Sequence, residues 1–210
     1  MFELHSLILF ISAGLLLNLT PGPDVLYIVA RSTGQGRQAG IVSVLGISAG
    51  CLVHIVAAAA GLSALMMALP AAYEVMRYLG AAYLVFLGLR KLFTRTARVV
   101  ASRVLPAQSL RRIFWQGVLT NVLNPKVALF FLAFLPQFTS AAHGSLPLQF
   151  LVLGAIFEFN GSLVNLGYAL VASRLGDWLR ARWGAAGLLD RLTGAIFVGL
   201  GLRLACLRRT

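Results

Sequence analysis

The feature that most constrains this chain is the stretch Asn18-Leu19-Thr20-Pro21-Gly22-Pro23-Asp24, which interrupts a run otherwise apolar from Leu7 to Ala30. A run of that length can cross a bilayer, for which about 20 residues suffice. A proline has no N–H, and its ring crowds the carbonyl four residues back. Two prolines flanking a glycine therefore prevent an unbroken helical ladder. Backbone groups freed at membrane depth persist only where protein or a watery cavity satisfies them. Thr20 before Pro21 reads as a cap followed by a first-turn proline, restarting a second half-helix. A kink that merely shapes packing is the plainer reading of the same residues. Asp24 favours a site, because a carboxylate inside a span is a functional-site hypothesis by default. The expectation is a broken helix around a polar site.

Composition places that break in a membrane. The chain of 210 residues is 59% hydrophobic and 11% charged, against roughly 25% charged for an ordinary soluble domain. A net charge of +12 raises nucleic acid as a partner. The arginines, however, fall between apolar runs and not on a basic face with stacking aromatics, so no nucleic acid is expected. Cys51 and Cys206 lie in separate apolar runs without metal or CxxC spacing and read as small buried hydrophobes. The three His and six acidic residues are scattered, which calls for no metal and no cofactor. That scatter argues against an intramembrane enzyme, and no filter-like repeat or charged ring argues for a channel. An intramembrane enzyme or a channel for small polar molecules is the alternative to a transporter. The start Met1-Phe2-Glu3-Leu4-His5 has no basic region ahead of the apolar run, as a retained first span would.

Six apolar stretches follow in order: His5 to Ala30, Ala39 to Ala68, Ala71 to Leu89, Ile113 to Leu135, Pro147 to Ser173 and Ala185 to Leu207. The turn Ser32 to Arg37 separates the first two. The basic linker Phe93 to Arg112 separates the third from the fourth, and Asn124-Pro125-Lys126 breaks the fourth. With the N-terminus outside, thirteen Arg and Lys fall in inner segments and four in outer ones, so the linker is expected in the cytoplasm. Three spans on either side of the linker make the second half enter the membrane in the opposite direction, the arithmetic of an inverted repeat. The division is 1–92 for the first three-helix repeat, 93–112 for the linker and 113–210 for the second repeat. The expected fold class is thus an all-α integral membrane protein with six transmembrane helices in two inverted three-helix repeats, the first and fourth helices broken. Asn18 with Thr20-Pro21 is echoed by Asn121 with Asn124-Pro125, and the two breaks would meet near the midplane, bringing Asp24 towards Lys126.

Within the fifth stretch, Glu158, Ser162 and Asn165 share one helical face near the midplane. Burial favours the protonated form of a carboxyl, so Glu158 is a proton-coupling candidate; a structural hydrogen bond to a neighbouring helix is the equal alternative. His54 reads as a packing histidine, and Gly46-x-x-x-Gly50 as a close-packing motif.

Pro21-Gly22-Pro23-Asp24, followed by Gly34-x-Gly36-Arg37-x-x-Gly40 and Gly46-x-x-x-Gly50, resembles the lysine exporter (LysE/RhtB) superfamily. So do Gly80-Ala81-Ala82-Tyr83-Leu84, Gly88-Leu89-Arg90, Asn124-Pro125-Lys126 and Leu135-Pro136-Gln137-Phe138. The closing Gly194-Ala195-x-Phe197 with Gly199, Gly201, Leu202 and Arg203 fits too, so the resemblance runs over nearly the whole chain. It implies export of amino acids or derivatives of the homoserine, threonine, leucine or lysine type across the bacterial inner membrane, driven by protons. The expected substrate-binding residues are Asn18, Thr20, Pro21, Gly22, Pro23 and Asp24 with Asn121, Asn124, Pro125 and Lys126. Glu158 and Asp24 are the expected proton-coupling residues. The partners are the amino acid, protons and the lipid bilayer, and a homodimer is compatible with all of this.

Overall fold

The prolines and glycines that punctuate the sequence also divide the fold. The computed structural model describes residues 2–68 and 107–182, with side chains through Arg174, and the helical positions Val75, Tyr78, Ala82, Val85, Phe86 and Leu89. The sixth apolar stretch, the third apart from those six positions, most of the linker and the closing glycine motif lie outside the described residues. Among the described residues every regular element is helical, with no strand.

Helix α1 spans Leu4–Leu19 and α2 spans Pro23–Ala57. A π-helical turn, Ala58–Leu62, joins α2 to α3, Ser63–Ala68. After the linker come α4, Leu110–Val122, and α5, Pro125–Leu129. A π-helical turn Phe130–Phe134 and 3₁₀ turns at Leu135–Phe138 and Ala141–His143 lead to α6, Leu146–Arg182. Helix α4 thus begins inside the stretch expected to be linker, because the Ser109 hydroxyl caps it by accepting from the Arg112 N–H. Among the described residues two helical stretches can cross a membrane by length and composition, Pro23–Ala68 and Leu146–Arg174. Leu110–Val122 with Pro125–Phe138, bent by 44°, makes a third if counted as one span.

The first of these stretches does not run straight. Gly36 sits at φ 81°, ψ −174°, a conformation an L side chain rarely adopts, and the helix doubles back there. Residues eight apart in a straight helix are about 12 Å apart, yet a Cβ on Gly40 would collide with the Ser32 side chain. Ile28 likewise shares a buried cluster with Val44 and Ile47. The stretch is therefore a helical hairpin whose arms cover 23–35 and 37–68. The turn expected over Ser32 to Arg37 stays helical until Gln35 and reverses at one glycine.

Close backbone approach then places the second arm against α4. A Cβ on Gly46 would strike the Phe114 carbonyl and stand 3.1 Å from Gly117 Cα, while one on Gly50 would stand 2.7 Å from the Val118 carbonyl. Lipid tails are as apolar as the helices, so small residues and tight packing drive such contacts. Gly46→Val is expected to overpack this contact by about 1–3 kcal/mol, and rigid backbone has little room to yield. Detergent-extracted Gly46→Val should lose most of its monodisperse peak, while Gly61→Ala, which meets nothing within 4 Å, should elute like wild type.

The remaining core is aromatic. Phe10 of α1, Phe130 and Phe134 of the π turn and Phe157 of α6 are buried together. Phe130 stacks on Phe157 with ring centroids 4.3 Å apart, and Phe10 meets Phe138 edge-on at 5.3 Å. This cluster seats α1, the segment after α5 and α6 around the two helix breaks.

Candidate functional site

Each proline at the breaks removes one N–H, and the carbonyl four residues earlier loses its helical partner. Pro21 does this to Leu17, Pro23 to Leu19 and Pro125 to Asn121. In all three cases a side chain from elsewhere supplies a donor. Lys126 Nζ donates to Leu17 O at 3.0 Å and also to Thr20 O at 3.1 Å. Tyr168 Oη donates to Leu19 O at 3.0 Å. His54 Nε2 donates to Asn121 O at 3.1 Å, which sets the proton on Nε2, and its ring stacks on Phe131. Two of these carbonyls also receive a local bond from the residue three positions on, Thr20 N to Leu17 O and Asn124 N to Asn121 O. The breaks are built features, tied to α2, α5 and α6 by their unsatisfied backbone.

The first break is arranged differently from the sequence expectation. Thr20 ends α1; its hydroxyl turns back to Leu16 O at 2.8 Å and does not cap the restart. Gly22, extended at φ −150°, is the N-cap of α2, and Pro23 is its first-turn proline. The reason is local: a threonine hydroxyl reaches the carbonyl four residues back before it can reach forward past Pro21. The absence of a Cβ on Gly22 makes room for Lys126, whose Nζ would lie 3.3 Å from one. At the second break Asn124 does cap the restart, its side chain accepting from Lys126 N at 3.0 Å ahead of Pro125.

Asp24, in the first turn of α2, is 6% exposed. Its Oδ2 accepts from Asn121 Nδ2 at 3.0 Å, joining the two breaks directly. Lys126, Asn124 and His54 are close enough to act on its charge. Asp24, Asn121 and Asn124 are all nearly fully buried, and Asp24 Oδ1, Asn121 Oδ1 and Asn124 Nδ2 make no hydrogen bond within the protein. Buried polar atoms are nearly always partnered, and leaving one bare costs about 1–3 kcal/mol. Two acceptors and a donor on three neighbouring buried residues are thus gathered between the breaks, with the Asn124 amide directed at the Asp24 carboxylate. Asn18 lies to the side, donating to Phe157 O at 3.4 Å and packing beside Gly161. Pro21 and Pro23 contribute shape and Pro125 sets the second restart.

Glu158 stands in a second polar group. Its Oε1 accepts from Ser162 Oγ at 2.6 Å, and Ser162 bonds Ser48 of α2 at 2.8 Å. The buried Cys51 of α2 is near both Glu158 and Asp24. Sequence reasoning did not single out Tyr168 or Ser48, and it read His54 as packing. The signal for Tyr168 and His54 was the proline-orphaned carbonyls, which announce that some donor must arrive without saying which.

Comparison with known proteins bears on what occupies such a place. The model of the LysE type translocator family matches residues 15–208. A membrane protein of Vibrio cholerae, itself uncharacterized, is 30% identical over 97% of this chain and 98% of its own. The homoserine/homoserine lactone efflux protein of Salmonella typhimurium is 31% identical over 92% of each chain. The leucine efflux protein of an Enterobacter species is 29% identical over 90% of each. No solved structure is a significant match.

Proposed function

The chain belongs to the LysE type translocator family, and from that premise we propose that it is a secondary transporter exporting an amino acid or derivative of the homoserine, threonine, leucine or lysine type. The observation that carries this reading is the trio of bare buried polar atoms between the two breaks. A zwitterion offers an ammonium and a carboxylate a few ångströms apart. Asp24 Oδ1 and Asn121 Oδ1 suit the ammonium. Asn124 Nδ2 and the positive end of α2, whose first turn begins at Gly22 and Pro23, suit the carboxylate. Lys126 holds the first break together and balances the charge of Asp24 when no substrate is present.

The architecture proposed around this site is six spans in two inverted three-helix repeats, 1–92 and 113–210, with the basic linker in the cytoplasm. Two features support it. Each half begins with a helix, a proline break and a restarted helix. The arm 23–35 also runs opposite to α4, since Asp24 meets Asn121 while Arg31 meets Gln116 and Gln108. Opposed helices carrying matched breaks are how inverted-repeat transporters place a substrate at the midplane.

Protons are the proposed driving ion and Glu158 the proposed coupling group, linked through Ser162 and Ser48 to the hairpin that carries Asp24. Uptake of labelled homoserine and leucine by inside-out vesicles, with and without a proton gradient, tests the whole reading; no gradient-stimulated uptake of any amino acid would sink it. Glu158→Gln keeps the volume but cannot ionise. Gradient-driven accumulation is expected to disappear while exchange of substrate between the two faces continues. Accumulation at the wild-type rate would move the coupling role to Asp24.

A further inference from the structure

About 10 Å along α2 from Asp24, by the rise of seven helical residues, lies a second buried polar cluster that the substrate site does not use. Arg31 is 4% exposed. Its guanidinium donates to Gln35 Oε1 at 2.9 Å, Gln108 Oε1 at 2.8 Å and Gln116 Oε1 at 3.0 Å. Gln35 Nε2 donates to Gln108 O at 3.0 Å, and Tyr27 Oη donates to Ile113 O at 2.7 Å. Tyr27, Arg31 and Gln35 belong to the first half of the chain, Gln108 to the end of the linker and Ile113 and Gln116 to the second half, so two of these five bonds join the halves and two more tie the first half to the linker. They lie at the Gly36 end of the hairpin, the end that the distribution of arginine and lysine assigns to the cytoplasm.

We propose that the Arg31 cluster is the cytoplasmic gate of the transporter, shut in this structure, and that substrate reaches Asp24 only when the bonds from Arg31 to Gln108 and Gln116 part. This rests on the exporter reading and on the same site. A gate must close firmly and reopen every cycle. Amide oxygens suit that duty, because a neutral acceptor holds a guanidinium less tightly than a carboxylate does. Gly36, already at positive φ, ends the arm that would have to move, so the backbone can change there without a Cβ to obstruct it.

The test uses the full-length chain with Cys206→Ser, which leaves Cys51 as the only thiol. Cys51 is buried and follows Gly50, which touches Asn121, so it sits level with Asp24 and beyond the cluster. In inside-out vesicles, a membrane-impermeant cationic methanethiosulfonate should modify Cys51 at least tenfold faster in Gln116→Leu and in Gln108→Leu than in the parent. In right-side-out vesicles the rate should not rise. Gln116→Glu, nearly isosteric, places a carboxylate on the guanidinium and should lock the gate, slowing both modification and export tenfold or more. Equal modification rates in parent and leucine variants, or export by Gln116→Glu at the parental rate, would overturn the proposal. If the parent exports no amino acid, the exporter reading fails, while the modification rates still show whether the cluster controls access.

Discussion

Asp24→Asn is expected to abolish export while the protein still reaches the membrane. The carboxylate is buried, bonded through Oδ2 to Asn121 and bare at Oδ1. Asparagine keeps the shape but removes the charge that an ammonium needs at that depth. Removing one member of a buried charge pair costs about 3–5 kcal/mol, which at about 1.4 kcal/mol per decade corresponds to a loss of roughly 100-fold or more in substrate binding. The same substitution leaves Lys126 without its counter-charge, so expression should also fall. Lys126→Gln should fall further, because Nζ is also the donor to Leu17 O and Thr20 O. The double variant Asp24→Asn/Lys126→Gln has neither charge; it should regain part of the expression lost by the singles and none of the transport. Extracted yield and vesicle uptake measured side by side decide this. A double variant no better expressed than either single would show that the two charges are not coupled.

Pro21→Ala/Pro23→Ala should be nearly as severe, for a reason of backbone rather than charge. The restored N–H groups would compete with Lys126 and Tyr168 for Leu17 O and Leu19 O. A helix closed through Thr20, Pro21 and Gly22 rises about 1.5 Å per residue where an extended chain rises about 3.3 Å. The closure would draw Asp24 roughly 5 Å along the axis, well beyond the reach of its bond to Asn121. Membrane insertion should survive, since a continuous apolar helix inserts at least as well as a broken one. The expected result is normal extracted yield with uptake at background. Uptake within twofold of wild type would show that the break itself is dispensable.

Much of the helical framework is visible in the residues themselves. Apolar runs between arginines mark the helices, and the positions of Pro21, Pro23 and Pro125 mark the breaks. Gly46 and Gly50 mark the close contact with α4, because only a missing Cβ admits the carbonyls of Phe114 and Val118. Even at this level the cap at the first break differs from the sequence expectation, since Thr20 turns back to α1 while Gly22 starts α2. Both residues are acceptable at either position, and only the geometry of the extended segment chooses.

Arg31 shows a different kind of concealment. Read from the sequence it is one more cytoplasmic arginine at the end of a span. In the fold it is buried and held by amides from α2, from the segment just before α4 and from α4 itself. Nothing about its neighbours in the chain foretells this, because Gln108 lies 77 residues away and Gln116 lies 85.

Where the backbone must break is written in the residues, because a proline without an N–H takes the α-helical partner from a particular carbonyl whatever surrounds it. So is the carboxylate beside the first break. Which donors would answer those carbonyls was decided only in three dimensions. Lys126, Tyr168 and His54 reach them from 109, 149 and 67 residues away. A bare carbonyl accepts any donor that arrives within about 3 Å, so its chemistry states the need, and only the packing of the helices selects the residue that meets it.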